Sequence, residues 1–170
     1  MKILVTYTNL TGSIAEVAGK VGETLNRLGE NAVVKPMNEV TDVRDYNAVV
    51  VGSVVMFYSW MPEAIEFLHR HRKILSKKPF AIFTVSMGME IKDEGWHRAS
   101  VMEWTAPVRS LVRPYSEGLF AGNLDITRMP KPGDRLKFKL SALFGVSKDS
   151  EHRKWYEIEK WAAGLPCLFT

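Results

Sequence analysis

The sequence predicts an α/β fold, an open sheet of five parallel strands with helices on both faces. Three observations carry that expectation. Short apolar runs rich in β-branched residues alternate with helix-spaced apolar stripes from end to end. The clearest run, "NAVVVGSVV" at 47–55, is apolar on both faces, as a central parallel strand must be. The first run, Ile3-Leu4-Val5, passes through the turn Thr6–Ser13 straight into a helical pattern, which is how a strand–helix–strand unit opens.

Taken in order, Lys2–Tyr7 is the first strand. Ile14, Ala18, Val21, Leu25 and Leu28 then recur at steps of four and three, one face of a helix that Gly29 stops. Ala32–Lys35 is the second strand, closed by Pro36, and a short helix is expected within the polar stretch Asn38–Tyr46. After the third strand, Pro62 opens a helix at its favoured first position, with Ile65, Leu68, Arg72 and Leu75 along one side. "PFAIFTV" (79–85) is the fourth strand, Ser100–Val112 a helix and "GLFAGNL" (118–124) the fifth strand. A closing helix spans about 151–163 with Trp155, Ile158 and Trp161 facing inward. Residues 126–148 exceed a simple strand-to-helix connection; Leu136, Leu140, Leu143 and Phe144 within them fit a helix face, the expectation here, while Leu-Lys-Phe-Lys-Leu (136–140) alternates like a strand. The chain reads as one domain, 1–170, carrying this insertion.

No apolar run approaches the roughly 20 residues that span a bilayer, and the N-terminus lacks the pattern of a signal peptide. The expected location is cytoplasmic. Cys167, the only cysteine, excludes internal disulfides and reads as a packing thiol in the apolar tail. His69 and His71 lie two apart on a helix, too far around it to share a metal, and read as solvated. Charge is uneven. Between Arg128 and Lys154 eight basic residues face three acidic ones, a local net charge of +5 against +4 for the whole chain. Such a segment suits an acidic partner, an anionic membrane surface or a solvated face; nucleic acid is not the expected partner.

Ligands of such sheets bind beyond the carboxyl ends of the strands, where the strand order reverses. Three turns qualify. The first, 7–13, has no cation, so a phosphate there would be held by helix amides, by the hydroxyls of Thr8, Thr11 and Ser13, and by Asn9, with Gly12 allowing close approach. Helix capping by Thr11 or Ser13 is the alternative. The second, "VVMFYSWMP", places Met56, Phe57, Tyr58, Trp60 and Met61 at the same edge, suited to a flat apolar ligand or, turned inward, to core. The third, "SMGME", supplies a small backbone. P-loop and dinucleotide fingerprints are absent.

These residues together resemble the flavodoxin family. "VTYTNLTGSIAEVA" matches its phosphate loop, "VVVGSVVMFYSW" the loop flanking the flavin ring and "FTVSMG" the third loop. The family's T-x-T-G-x-T core falls on Asn9, Thr11, Gly12 and Ile14. Thr11 and Gly12 match, Asn9 is a substitute donor, and Ile14 cannot donate. The resemblance implies a flavodoxin-like three-layer sandwich with FMN as cofactor. Its binding residues would be Thr8, Asn9, Leu10, Thr11, Gly12, Ser13 and Ile14 at the phosphate. Val55, Met56, Phe57 and Tyr58 would flank the ring, with Ser86, Met87 and Gly88 at the third loop. It implies no catalytic side chain and no metal, and a redox protein that shuttles electrons or oxidises a substrate.

Within the family, "LFAGNLDITRMPKPGDRLKFKLSALFGVSKDSEHRKW" is similar to the basic insertion of the menaquinone-dependent protoporphyrinogen dehydrogenases. That likeness implies a quinone or a redox protein as partner and peripheral membrane contact through 126–148. The alternative function is a flavin-free, flavodoxin-shaped interaction module, for which Ile14 is the pointer.

Overall fold

The computed structural model describes residues 1–8, 12–86, 94–122 and 151–170, with only the backbone of residues 12, 94–97 and 151–154. Six strands are described: β1 (Lys2–Tyr7), β2 (Asn31–Pro36), β3 (Ala48–Met56), β4 (Ser59–Trp60), β5 (Phe80–Ser86) and β6 (Ser116–Ala121). The helices are α1 (Gly12–Arg27), α2 (Pro62–Leu75), α3 (Glu94–Trp104), α4 (Ala106–Leu111) and α5 (Glu151–Phe169), with a 3-10 turn at Met37–Glu39. Five strands pair in parallel in the order β2-β1-β3-β5-β6, and the two-residue β4 folds back antiparallel on the end of β3. The predicted five-stranded parallel sheet is therefore present.

Strand periodicity sorts the core into two layers. Ile3, Val5, Val50 and Phe83 face one way, against Ile14, Val17, Val21 and Leu25 of α1 and Ile158, Ala162 and Leu165 of α5. Leu4, Val49, Val51 and Ile82 face the other way, against Phe67, Leu68 and Leu75 of α2 and Val108 of α4. β5 is buried along its whole length, which is why "FAIFTVS" lacks polar alternation.

Several expectations need correction. Leu28 is exposed, because α1 ends at Arg27 and Gly29 turns the chain at φ 87°. The inward face of α2 holds Ala64, Phe67, Leu68, His71 and Leu75; Arg72 is exposed, and His71 is buried rather than solvated. The single helix expected over 100–112 is two, broken at Thr105, whose hydroxyl turns back onto Val101 O at 3.0 Å while Pro107 opens α4. β6 runs Ser116–Ala121, starting two residues before the expected 118–124, of which 123 and 124 lie outside the described residues. α5 continues through Pro166 to Phe169, so the apolar tail is helical and Cys167 stands exposed on it. The insertion 126–148, with its expected helix, lies outside the described residues. Among the described residues, no helix is long and apolar enough to cross a membrane.

Candidate functional site

The strand order reverses between β1 and β3, since β1 leads to β2 on one side and β2 crosses to β3 on the other. At that point the Thr8 N–H donates to Gly52 O at 3.2 Å, holding the end of β1 against β3. Thr8 is fully buried, and its Oγ1 has no hydrogen-bond partner among the described residues. An unpaired buried hydroxyl is unfavourable by about 1–3 kcal/mol. It sits four residues before α1, a 16-residue helix with no acidic residue in its first turn, so the positive end of the helix is not offset there. Ile14 of α1 is fully buried in the core, so it offers this edge only its backbone. Ser13 is half-buried. The sequence carries no charged residue from Tyr7 to Ala15 or from Ala48 to Met61, leaving an edge of neutral donors.

The second turn is a β3–β4 hairpin, with Val55 opposite Trp60 and Met56 opposite Ser59. Its two connecting residues, Phe57 and Tyr58, have φ of 50° and 64°. A two-residue hairpin matched to strand twist demands positive φ at both positions, which normally selects Asn-Gly. Here two aromatics occupy them, 60% and 72% exposed. Tyr58 rests edge-on against Trp104 at 5.0 Å between ring centroids. Trp60 is not a loop ring. It is buried, and its Nε1–H donates to Thr84 Oγ1 at 2.9 Å. The Ser53 hydroxyl accepts the Met61 N–H at 3.2 Å and fixes where the hairpin re-enters α2. Val55 packs toward the α2 side of the sheet and Met56 toward the α1 side, both half-buried.

Ser86 ends β5, buried, and its carbonyl accepts the Gly122 N–H at 3.4 Å. A Cβ on Gly122 would come within 2.1 Å of Val85 Cγ1, so the chain passes this close to β5 only as glycine, while Ser13 Cβ of α1 lies at an ordinary contact distance of 3.6 Å. Of the expected site residues, Thr8, Gly12, Ser13, Phe57, Tyr58 and Ser86 thus belong to one edge of the sheet. Asn9, Leu10, Thr11, Met87 and Gly88 lie outside the described residues. Sequence reasoning missed Ser53, Thr84 and Gly122. Only Gly122 left a signal, a glycine directly after an apolar strand.

A family model described as "Flavodoxin domain" matches residues 4–151. The fold is shared with solved flavodoxins of low sequence identity. A short-chain flavodoxin associated with a non-canonical PDU bacterial microcompartment is 14% identical at a TM-score of 0.61, covering 100% of this chain and 99% of that one. Oxidised flavodoxin 2 from Bacillus cereus is 14% identical at 0.56, covering 99% and 100%. Two-electron reduced Megasphaera elsdenii flavodoxin is 13% identical at 0.56, covering 96% and 98%. No curated protein sequence matches the chain.

Proposed function

The chain belongs to the flavodoxin-domain family, and from that premise we propose that it is an FMN-dependent redox protein with the cofactor at the edge where β1 and β3 end. The observation that carries this reading is the buried Thr8 hydroxyl, which lacks a partner among the described residues at the approach to α1. A phosphate oxygen accepts from such a hydroxyl and from the first amides of a helix without any cation. Ser13 adds a hydroxyl at the same helix start. Phe57 and Tyr58 present apolar ring surface for a flat ligand, with the hairpin held from beneath by the Trp60–Thr84 hydrogen bond. Bound FMN supplies the electron chemistry. The chain's own part is to hold the phosphate, keep water from the ring and bias its charge state through an apolar, uncharged edge.

The finer reading is oxidation of a substrate such as protoporphyrinogen, with a quinone or a redox protein as acceptor. The basic segment 126–148 supports it, as does peripheral contact of that segment with an anionic membrane. The decisive experiment for the cofactor is a visible spectrum of the purified protein followed by FMN titration of the colourless form. Flavin bands retained through gel filtration are expected. No binding at millimolar FMN would leave a flavin-free interaction module. Flotation with anionic liposomes at low salt tests the membrane contact, and protein that stays at the bottom of the gradient rejects it.

A further inference from the structure

The two edges of the sheet are finished differently. At β2 the outward backbone of Ala32 is capped at both groups by one side chain: Asn26 Oδ1 accepts its N–H at 2.8 Å and Asn26 Nδ2 donates to its carbonyl at 3.1 Å. Further along, Pro36 has no N–H to offer. Both are ways to stop another strand from adding. β6 forms the opposite edge and has no such device among the described residues. The Tyr115 N–H donates to Phe80 O at 2.7 Å, so by the alternation of a parallel ladder Ser116, Gly118 and Phe120 direct their N–H and C=O groups away from β5.

That edge is the floor of a groove of about 500 Å³. Its walls come from opposite faces of the sheet. On one side stands Trp161 of α5, whose Nε1–H donates to Ser116 Oγ and whose ring packs on Phe120. On the other side Glu117 points to α4, where it is paired with Arg109 at 2.9 Å. A groove floored by an edge that is unpaired among the described residues and walled from both faces has the shape left by a missing next strand. Each wall also carries a cation, Arg98 from α3 and Lys160 from α5, both exposed and neither in an ion pair among the described residues. Glu157 is the one lining carboxylate not already neutralised by a partner among the described residues.

We propose that the β6 edge is a docking site for an extended acidic segment of a partner protein, which adds as the next strand of the sheet. Successive side chains of a strand point to opposite faces. Two adjacent carboxylates on the incoming segment therefore reach Arg98 on one wall and Lys160 on the other. The chain's own segment 126–148 is basic and does not match this charge. The proposal does not depend on the flavin, and the site is distinct from the ends of β1 and β3.

The test uses the full chain, with and without FMN, and a fluorescein-labelled, terminally blocked heptapeptide in which two adjacent glutamates are flanked by valine and threonine. Binding is read by anisotropy, and hydrogen exchange by NMR reports the amides of Ser116, Gly118 and Phe120. Binding with slowed exchange at those three amides is the expected result. Replacing both glutamates by glutamine, or introducing Arg98→Glu with Lys160→Glu, is expected to weaken it about tenfold, the size of two exposed charge pairs. No binding at millimolar peptide, binding without protection of these amides, or binding indifferent to both charge changes overturns the proposal. Protection without peptide also overturns it: if it rises with protein concentration a second copy fills the groove, and if it does not, the chain fills its own edge.

Discussion

The two strands that meet at the switch point end in opposite ways. β1 runs out in Thr8, polar, fully buried and without a partner among the described residues. β3 runs out in Phe57 and Tyr58, apolar, exposed and in left-handed backbone. Each end departs from what a stable fold prefers, one by polarity and one by strain. Among the described non-glycine residues the strain is confined to that hairpin tip, whereas the polar departure already begins at Thr6, whose buried Oγ1 likewise lacks a partner among the described residues. Leu4, Val5, Val49, Val50 and Val51 are buried strand residues of the expected kind. Departures from local preference concentrate where a chain has something to hold. The same edge thus offers hydroxyl and amide donors at one end and ring surface at the other, as a ligand with a phosphate and a flat ring requires.

The comparison breaks most sharply at the hairpin's anchor. Trp60→Ala removes a buried indole and leaves the Thr84 hydroxyl without its donor. A loss of about 3–5 kcal/mol in urea unfolding is expected. An unchanged midpoint would mean that the hairpin is not held from beneath. The tip should behave in the opposite sense. Phe57→Asn with Tyr58→Gly supplies the residues that positive φ favours and should stabilise the protein by about 2 kcal/mol, given roughly 1–3 kcal/mol of strain per position. The same pair should weaken FMN binding, because the exposed rings are gone. A destabilised double variant would show that the packing of these rings, including the Tyr58 contact with Trp104, outweighs their backbone strain.

At the end of β1 the expected change is smaller and again has two signs. Thr8→Val keeps the shape and removes the unpaired hydroxyl, so the FMN-free protein should gain about 1 kcal/mol. FMN affinity should fall about five- to tenfold, the worth of one neutral hydrogen bond. A variant that loses stability instead would place a partner on Thr8 and remove it from the site.

How far this was legible in the sequence follows from how local each signal is. The strand order and the α1 stripe of Ile14, Ala18, Val21 and Leu25 were readable because burial repeats with the period of the element. The hydroxyl turn and the aromatic hairpin were visible as composition out of place for a loop. What was not legible came from distant partners. In the sequence Trp60 reads with the loop rings, because nothing near it announces Thr84, 24 residues away. The break at Thr105 is hidden inside an unbroken apolar pattern, and its hydroxyl is shared with Arg109 four residues on and with Glu117 from beyond the helix. Ile14 was readable both as a loop position and as a stripe position, and packing decided for the stripe.

His71 supplies the control that separates polarity at the site from polarity elsewhere. Like Thr8 it is buried with a side-chain atom, Nε2, that has no partner among the described residues, but it lies on α2 against Phe67 at 4.6 Å. Unlike Thr8 it titrates. Burial, helped by the nearby Arg70 charge, pushes the imidazole below its ordinary 6.5. The Asp42 carboxylate works against this, and because Arg44 holds it at about 2 it stays ionised throughout the window concerned. The unfolded chain therefore takes up the proton first as pH falls below 6.5, and stability drops until the lowered folded value is passed. His71→Leu should flatten that part of the stability profile in urea melts between pH 7 and 5, two ordinary buffer conditions on either side of the histidine range. Thr8→Val should shift the whole profile upward without changing its slope. A slope that survives His71→Leu would assign the acid sensitivity to another group and leave His71 a packed, non-titrating ring.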